Sequence, residues 1–208
     1  MNRILAVWPF VAAMAATVVA SNILVQFPFD HFGLGEILTW GAFSYPAAFL
    51  ITDLTNRRFG PRIARGVVLV GFIFAVVLSV WLATPRIAVA SGAAFLVAQL
   101  LDITVFDRLR RQAWWRPPLF SSVVSSALDT AIFFSIAFAT VFAFMDTSFG
   151  LEDGSLAFPA PLLGFGMEVP LWMSLAAGDF CVKLLMGFAM LAPYGAILSF
   201  LRPAEAAQ

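Results

Sequence analysis

Six stretches of this chain are apolar for long enough to cross a hydrocarbon core of roughly 30 Å, and no other feature restricts its fold as much. They run over residues 4–27, 37–53, 63–83, 87–106, 119–144 and 171–200. Lipid offers the backbone no hydrogen-bond partner, so each stretch must satisfy its own N–H and C=O groups as a helix. The sequence therefore predicts an all-α integral membrane protein with six transmembrane helices, residues 1–208 forming one domain. With 62% hydrophobic and only 12% charged residues, the chain has about half the charge of a soluble domain. The second stretch is short and contains Pro46, so it is expected to tilt little or to bend there. The first has a signal-peptide look: Arg3, an apolar run, then Val18-Val19-Ala20 before Ser21. Asn22 and Gln26 continue the same segment, however, and its removal would leave an odd number of spans. It reads as a span.

Charge gives the orientation. Of the 11 arginines, 10 fall on one side of these spans: Arg3, Arg57, Arg58, Arg62, Arg65, Arg108, Arg110, Arg111, Arg116 and Arg202. The opposite loops hold only Arg86, against Asp30, Glu36, Asp146, Glu152, Asp153 and Glu168. The positive-inside rule makes the arginine side cytoplasmic and predicts an N-in/C-in topology. Trp8, Trp40, Trp81, Trp114, Trp115 and Trp172 lie near span ends, as interfacial belts require. The loop 147–170, rich in Pro and Gly, is the one long connection and reads as an outer lid or an interfacial segment.

Residues 45–66, YPAAFLITDLTNRRFGPRIARG, carry the strongest local signal. Asp53 closes an apolar helix on the membrane side of four arginines, which predicts a place at the cytoplasmic mouth. Four further ionisable residues fall inside spans: Asp102, Asp129, Asp179 and Lys183. Each costs about 2.5–3.5 kcal/mol at a helix centre on insertion scales, so a purely structural role is hard to justify. Lys183 is the single lysine and lies roughly 18 Å from the outer end of its span. Gln99 falls near mid-depth, Asp102 a turn deeper, and Asp129 about 15 Å from the inner end of its span. Gln99-x-x-Asp102-x-x-x-Phe106 and Ser126-x-x-Asp129-x-x-x-Phe133 each set their residues on one helical face.

Plainer readings stand beside these. Asp179 and Lys183, at i and i+4, are equally read as a pair that neutralises itself. Asp53 can pair with its neighbouring arginines. Asn22, Gln26, Ser125 and Ser126 suit interhelical hydrogen bonds, and for the serines that is the stronger reading. The single Cys181 excludes an internal disulfide and a Cys-based metal cluster, and the single His31 removes the usual zinc and Ser-His sites. No cofactor and no nucleic-acid partner is implied. An intramembrane enzyme is the least supported class: there is no H-E-x-x-H helix, and Ala176-Ala177-Gly178-Asp179 half matches a G-x-G-D pattern.

In order along the chain, SNILVQ (21–26), TWGAFSYP (39–46), TDLTNRRFG (52–60), AQLLDITVFDRLR (98–110), SSALDTAIFF (125–134) and DFCVK (179–183) resemble the queuosine precursor transporters. The likeness touches every span except the third. It implies a multi-pass transporter of the bacterial inner membrane, without catalytic residues. Such a protein imports 7-cyano-7-deazaguanine and 7-aminomethyl-7-deazaguanine for queuosine in tRNA. The candidate substrate-binding residues are then Asn22, Gln26, Tyr45, Asp53, Gln99, Asp102, Ser126, Asp129, Asp179 and Lys183. A carboxylate accepts the paired N–H donors of a deazaguanine edge. An amide side chain serves a mixed edge, a lysine donates to the carbonyl or nitrile, and aromatic faces stack on the ring. Asp102 or Asp129, with Gln99 and Lys183 nearby, is the expected centre. The alternative is a substrate-capturing subunit for another base or vitamin. It would need a separate ATPase module, since no G-x-x-x-x-G-K-[ST] sequence occurs here. The energy source, and whether copies associate as a homo-oligomer, stay open at this level.

Overall fold

A computed structural model describes residues 3–31, 35 and 38–200. Arg202, Glu36 and the start of the second expected span lie outside the described residues. The helices are α1 (Arg3–Leu24), α2 (Gly41–Ser44), α3 (Pro46–Phe59), α4 (Pro61–Leu82), α5 (Pro85–Leu109), α6 (Arg116–Phe138), α7 (Phe144–Thr147) and α8 (Leu171–Leu198). Among the described residues, five of them (α1, α4, α5, α6 and α8) are long and apolar enough to cross a membrane. Helices α3, α4 and α5 each begin on a proline, where the missing N–H would have had no helical partner anyway. Gly60 alone joins α3 to α4 at φ 87°, a conformation that side chains with a Cβ rarely adopt.

The second expected span is corrected in two respects. Helix is interrupted between Ser44 and Pro46, where the proline supplies no N–H. Beyond it α3 runs on to Phe59, so Asp53 lies in mid-helix rather than at its end. Asp53 is 2% exposed and does not sit at a mouth. The fifth expected span is corrected too, because α6 ends at Phe138 and not at residue 144. The reason is Arg86, the one arginine outside the positive-inside pattern. Buried to 1% exposure, it donates from Nε to the carbonyl of Ile136 (2.8 Å) and from Nη2 to that of Ala139 (2.6 Å). The first satisfies a carbonyl that the end of α6 leaves open, and the second joins the Phe142 N–H on the Ala139 carbonyl. Its Nη1 pairs with Asp146 Oδ2 at 2.7 Å and reaches Asp153 Oδ1 at 3.4 Å. The Ser155 hydroxyl and backbone N–H, with Arg86 beside them, hold the Asp153 carboxyl below its usual range. Arg86 is thus a buried bracket for the outer loop, not a surface charge.

The all-α expectation needs one further correction. Within the long loop, β1 (Pro159–Leu162) and β2 (Phe165–Pro170) form an antiparallel hairpin. Leu163 and Gly164 turn it at φ 52° and 83°, the pair of positive angles that a two-residue hairpin turn requires. Ser174 at the start of α8 holds it, accepting from Leu163 N (2.8 Å) and donating to Pro161 O (3.0 Å). A free lid is not what the loop forms.

Helix α3 packs on α1, α4, α5, α6 and α8, and α5 packs on α3, α4 and α6. Thr52, Asp53, Thr55 and Asn56 explain why α3 is enclosed. A helix carrying four polar residues in five positions cannot face lipid, and its neighbours take the lipid contact instead. Helix α4 illustrates this. Ala64, Val67, Val68, Gly71 and Ala75 face inward, while Leu69, Ile73, Val77, Val80 and Trp81 are exposed on the other side. At Gly71 a Cβ would stand 2.7 Å from Met14 Cγ, so the glycine sets the close approach of α1 to α4.

Candidate functional site

The charged residues of the spans sort into two groups at different depths. The first is built on Lys183 of α8. Its Nζ stands 2.7 Å from Asp129 Oδ2 and 2.5 Å from Asp179 Oδ2, and donates to Thr130 Oγ1 at 3.2 Å. Thr130 in turn donates to Asp179 Oδ2 (2.7 Å), and the Tyr45 hydroxyl donates to Asp129 Oδ1 (3.0 Å). The ammonium also lies 5.5 Å from the Tyr45 ring centroid, within cation–π range. A compact ammonium with three donors is matched here by three oxygen partners. The i, i+4 pair read from the sequence exists, but Asp129 from α6 shares its cation.

This cluster lies at the base of a cavity of about 550 Å³. The walls include Ser21, Asn22 and Gln26 at the end of α1, Ile87 and Ser91 of α5, and Phe133, Phe134 and Phe138 of α6. Leu175, Asp179 and Lys183 of α8 line it as well, with Leu38, Ala42 and Tyr45 around α2, and neither Arg57 nor Arg110 is among its walls. Asn22 donates to the Val18 carbonyl (2.9 Å) and accepts from Ser79 Oγ of α4 (3.4 Å), while Gln26 donates to the Asn22 carbonyl (3.3 Å). Both therefore line the cavity, and Asn22 also ties α1 to α4.

The second group lies deeper, around Asp53 of α3 and Asp102 of α5, which are close neighbours. Ser121 of α6 donates to Asp53 Oδ1 at 3.4 Å. Gln99 accepts from Thr52 Oγ1 (2.6 Å). Neither Gln99 nor Asp102 lines the large cavity. Between the groups is a narrow cleft of about 10 Å³ walled by Pro46, Phe49, Asp53, Ser126, Lys183 and Tyr194. Lys183 faces both spaces. The structure thus divides the expected centre: Asp129 joins Lys183, whereas Gln99 and Asp102 join Asp53.

Below Asp53 the bundle is shut. Arg57 donates from Nε to the Tyr194 hydroxyl (3.0 Å) and from Nη1 to the Arg110 carbonyl (2.8 Å). Arg110 reaches the Asn56 carbonyl and its Oδ1. Trp114 stacks on Tyr194, and Gly195 gives it room, since a Cβ there would come within 3.0 Å of the indole. Sequence reasoning missed Thr130 and Tyr194 as site neighbours, and it paired Asp53 with its neighbouring arginines, whereas Arg57 is held by Tyr194 and the Arg110 carbonyl. Thr130 follows Asp129 directly, which was the available signal; Tyr194 had none.

The arrangement is an open, largely apolar cavity with a charged base above a closed end, and ionisable groups lie along the way. The family model described as "Putative vitamin uptake transporter" matches residues 39–84 and 78–197. The queuosine precursor transporter of Escherichia coli (strain K12) is 34% identical over 207 residues, covering 88% of this chain and 82% of that protein. The chain belongs to the queuosine precursor transporter family. The "Probable queuosine precursor transporter" of Haemophilus influenzae is 33% identical over the same shares of both chains. That of Bacillus subtilis is 30% identical, over 60% of this chain and 66% of its own. No solved structure matches this member of the family. It is a multi-pass membrane protein, and its place in a transporter family implies a small-molecule substrate and a non-enzymatic role.

Proposed function

We propose that the protein imports queuosine precursors, 7-cyano-7-deazaguanine and 7-aminomethyl-7-deazaguanine, across the bacterial inner membrane. The observation that carries this reading is the Asp129–Lys183–Asp179 cluster at the base of the large cavity. A volume of about 550 Å³ lies within the range of small-molecule sites and leaves room for a flat bicyclic base. Asp129 or Asp179 accepts the adjacent N–H donors of the guanidine-like edge, and Lys183 turns one donor to the carbonyl. Phe133, Phe134 and Phe138 offer aromatic surface for the ring. Asn22 and Gln26 meet the base nearer the entrance, and Tyr45 orients Asp129 from behind. Gln99 and Ser126 serve the later part of the path, with Asp53 and Asp102 beside it and not in contact with the base. In this reading the chain is one domain and not an enzyme. The α2–α3 segment acts as a sixth crossing, both termini are cytoplasmic, and the cavity faces outward.

The test is uptake of labelled 7-cyano-7-deazaguanine by bacteria that cannot make it, with and without this protein. Accumulation that depends on the protein and is lost in Asp129→Asn supports the proposal. No difference from cells without the protein refutes it.

A further inference from the structure

We propose that Asp53 and Asp102 form a proton-binding site that couples import to the proton gradient, separate from the cavity in which the substrate sits. This rests on the transport reading above. Two carboxyl groups from different helices meet where neither has more than 2% exposure. Among the described residues, no lysine or arginine lies within ion-pair distance of either. Neither oxygen of Asp102 receives a hydrogen bond of good geometry from a protein donor, and the neighbouring Ser121 hydroxyl is directed to Asp53 Oδ1 and the Pro118 carbonyl. A buried carboxylate ordinarily collects several donors, so an orphaned one beside a second acid calls for a missing donor. A single proton held between the two acids is that donor, because it turns one group into an O–H that donates to the other. It also removes one of two like charges from a dry site. A metal ion would need several oxygen ligands around an open space, and Asp102 lines neither described cavity.

Every neighbouring charge is committed elsewhere. Lys183 and Tyr194 share the cleft with Asp53, but Lys183 is held by Asp129 and Asp179 and Tyr194 accepts from Arg57. Gln99 and Ser121 are neutral, as is Ser125, whose buried hydroxyl has no partner. Arg57 is the exception with a spare donor. It stands one turn after Asp53 on α3, and its buried Nη2 has no partner. Loss of the proton raises the pair from one negative charge to two, which draws Arg57 from Tyr194 and the Arg110 carbonyl, the contacts closing this end. A proton bound from outside therefore favours the closed end, and its release accompanies opening toward the cytoplasm.

Two measurements on the full chain test this. Infrared spectra of the purified protein near neutral pH should contain a protonated carboxylic-acid C=O band that both Asp53→Asn and Asp102→Asn remove. In vesicles more acidic outside by about one pH unit, 1:1 coupling would allow roughly tenfold accumulation of uncharged 7-cyano-7-deazaguanine. Asp102→Asn should still exchange internal for external substrate but accumulate none. Absence of the infrared band in the parent overturns the proposal. So does a parent that exchanges substrate without responding to the gradient, or that responds to sodium instead. A parent that exchanges no substrate removes the transport reading, and the infrared result then decides the proton site alone.

Discussion

Replacing Lys183 by methionine withdraws the one cation shared by two acids, and the structure sets how the damage divides. Asp129 has 4% side-chain exposure and Asp179 14%, and they stand 2.7 and 2.5 Å from the same nitrogen. Breaking a buried pair by removing one partner costs about 3–5 kcal/mol, because the other charge stays buried and unpaired. Lys183→Met should fall at the upper end of that range, since it strands both acids. Asp179→Asn leaves the Lys183–Asp129 bond and the Thr130 hydroxyl in place, so its loss should be near that of one charge-assisted hydrogen bond, roughly 1.5–3 kcal/mol. Adding Asp179→Asn to Lys183→Met should not restore stability, because Asp129 remains without its cation. Only the triple variant, with Asp129→Asn as well, removes every charge of the cluster. The assay is thermal unfolding in detergent beside membrane insertion and uptake. The predicted order of stability is parent, Asp179→Asn, double variant, Lys183→Met, with the triple variant above the double and inactive in uptake. A double variant as stable as the parent would show Asp129 to be independent of Lys183. Uptake by the triple variant would make the cluster a packing element.

Arg86→Met should leave the Ile136 carbonyl without its side-chain donor and Asp146 without its cation, held only by Gly154 N–H, a loss of about 3–5 kcal/mol; limited proteolysis should then cut the 144–158 segment first, and an unchanged cleavage pattern would count against the bracket role. Gly195→Leu should push Trp114 off Tyr194, read as a change in tryptophan emission that the same substitution in a Trp114→Phe background does not give. A reporter fused after the last residue and active only in the cytoplasm should be active, because 10 of the 11 arginines fall on one side of the expected spans and that excess favours the cytoplasm; an inactive reporter would overturn the proposed topology.

Much of this arrangement was legible from the residues. Length and apolarity placed α1, α4, α5 and α8 within a few residues, since a helix in lipid has few alternatives. The i, i+4 spacing gave the Asp179–Lys183 pair directly. Depth measured along a helix could not say which helices face one another, and this hid the rest. Gln99 and Asp129 were both read at mid-membrane, yet one meets Thr52 and the other Lys183. Asp53 was misplaced for a related reason. The arginines after it mark a charged end, but α3 carries Arg57 and Arg58 inside its last turns, where Arg57 turns toward Tyr194 and Phe106. Arg86 broke the charge rule because its partners come from a loop 60 residues later. No local pattern announces such a contact.

The central claim is that the cavity above Lys183 binds a queuosine precursor through the acids that Lys183 holds. Equilibrium binding of 7-cyano-7-deazaguanine to the purified protein tests it most directly, measured for the parent and for Asp129→Asn in the same detergent. The account predicts one base bound per chain by the parent and affinity lowered at least tenfold in the variant, in line with the loss of one charged hydrogen-bond acceptor. Equal affinity for parent and variant, with both proteins folded, would contradict it.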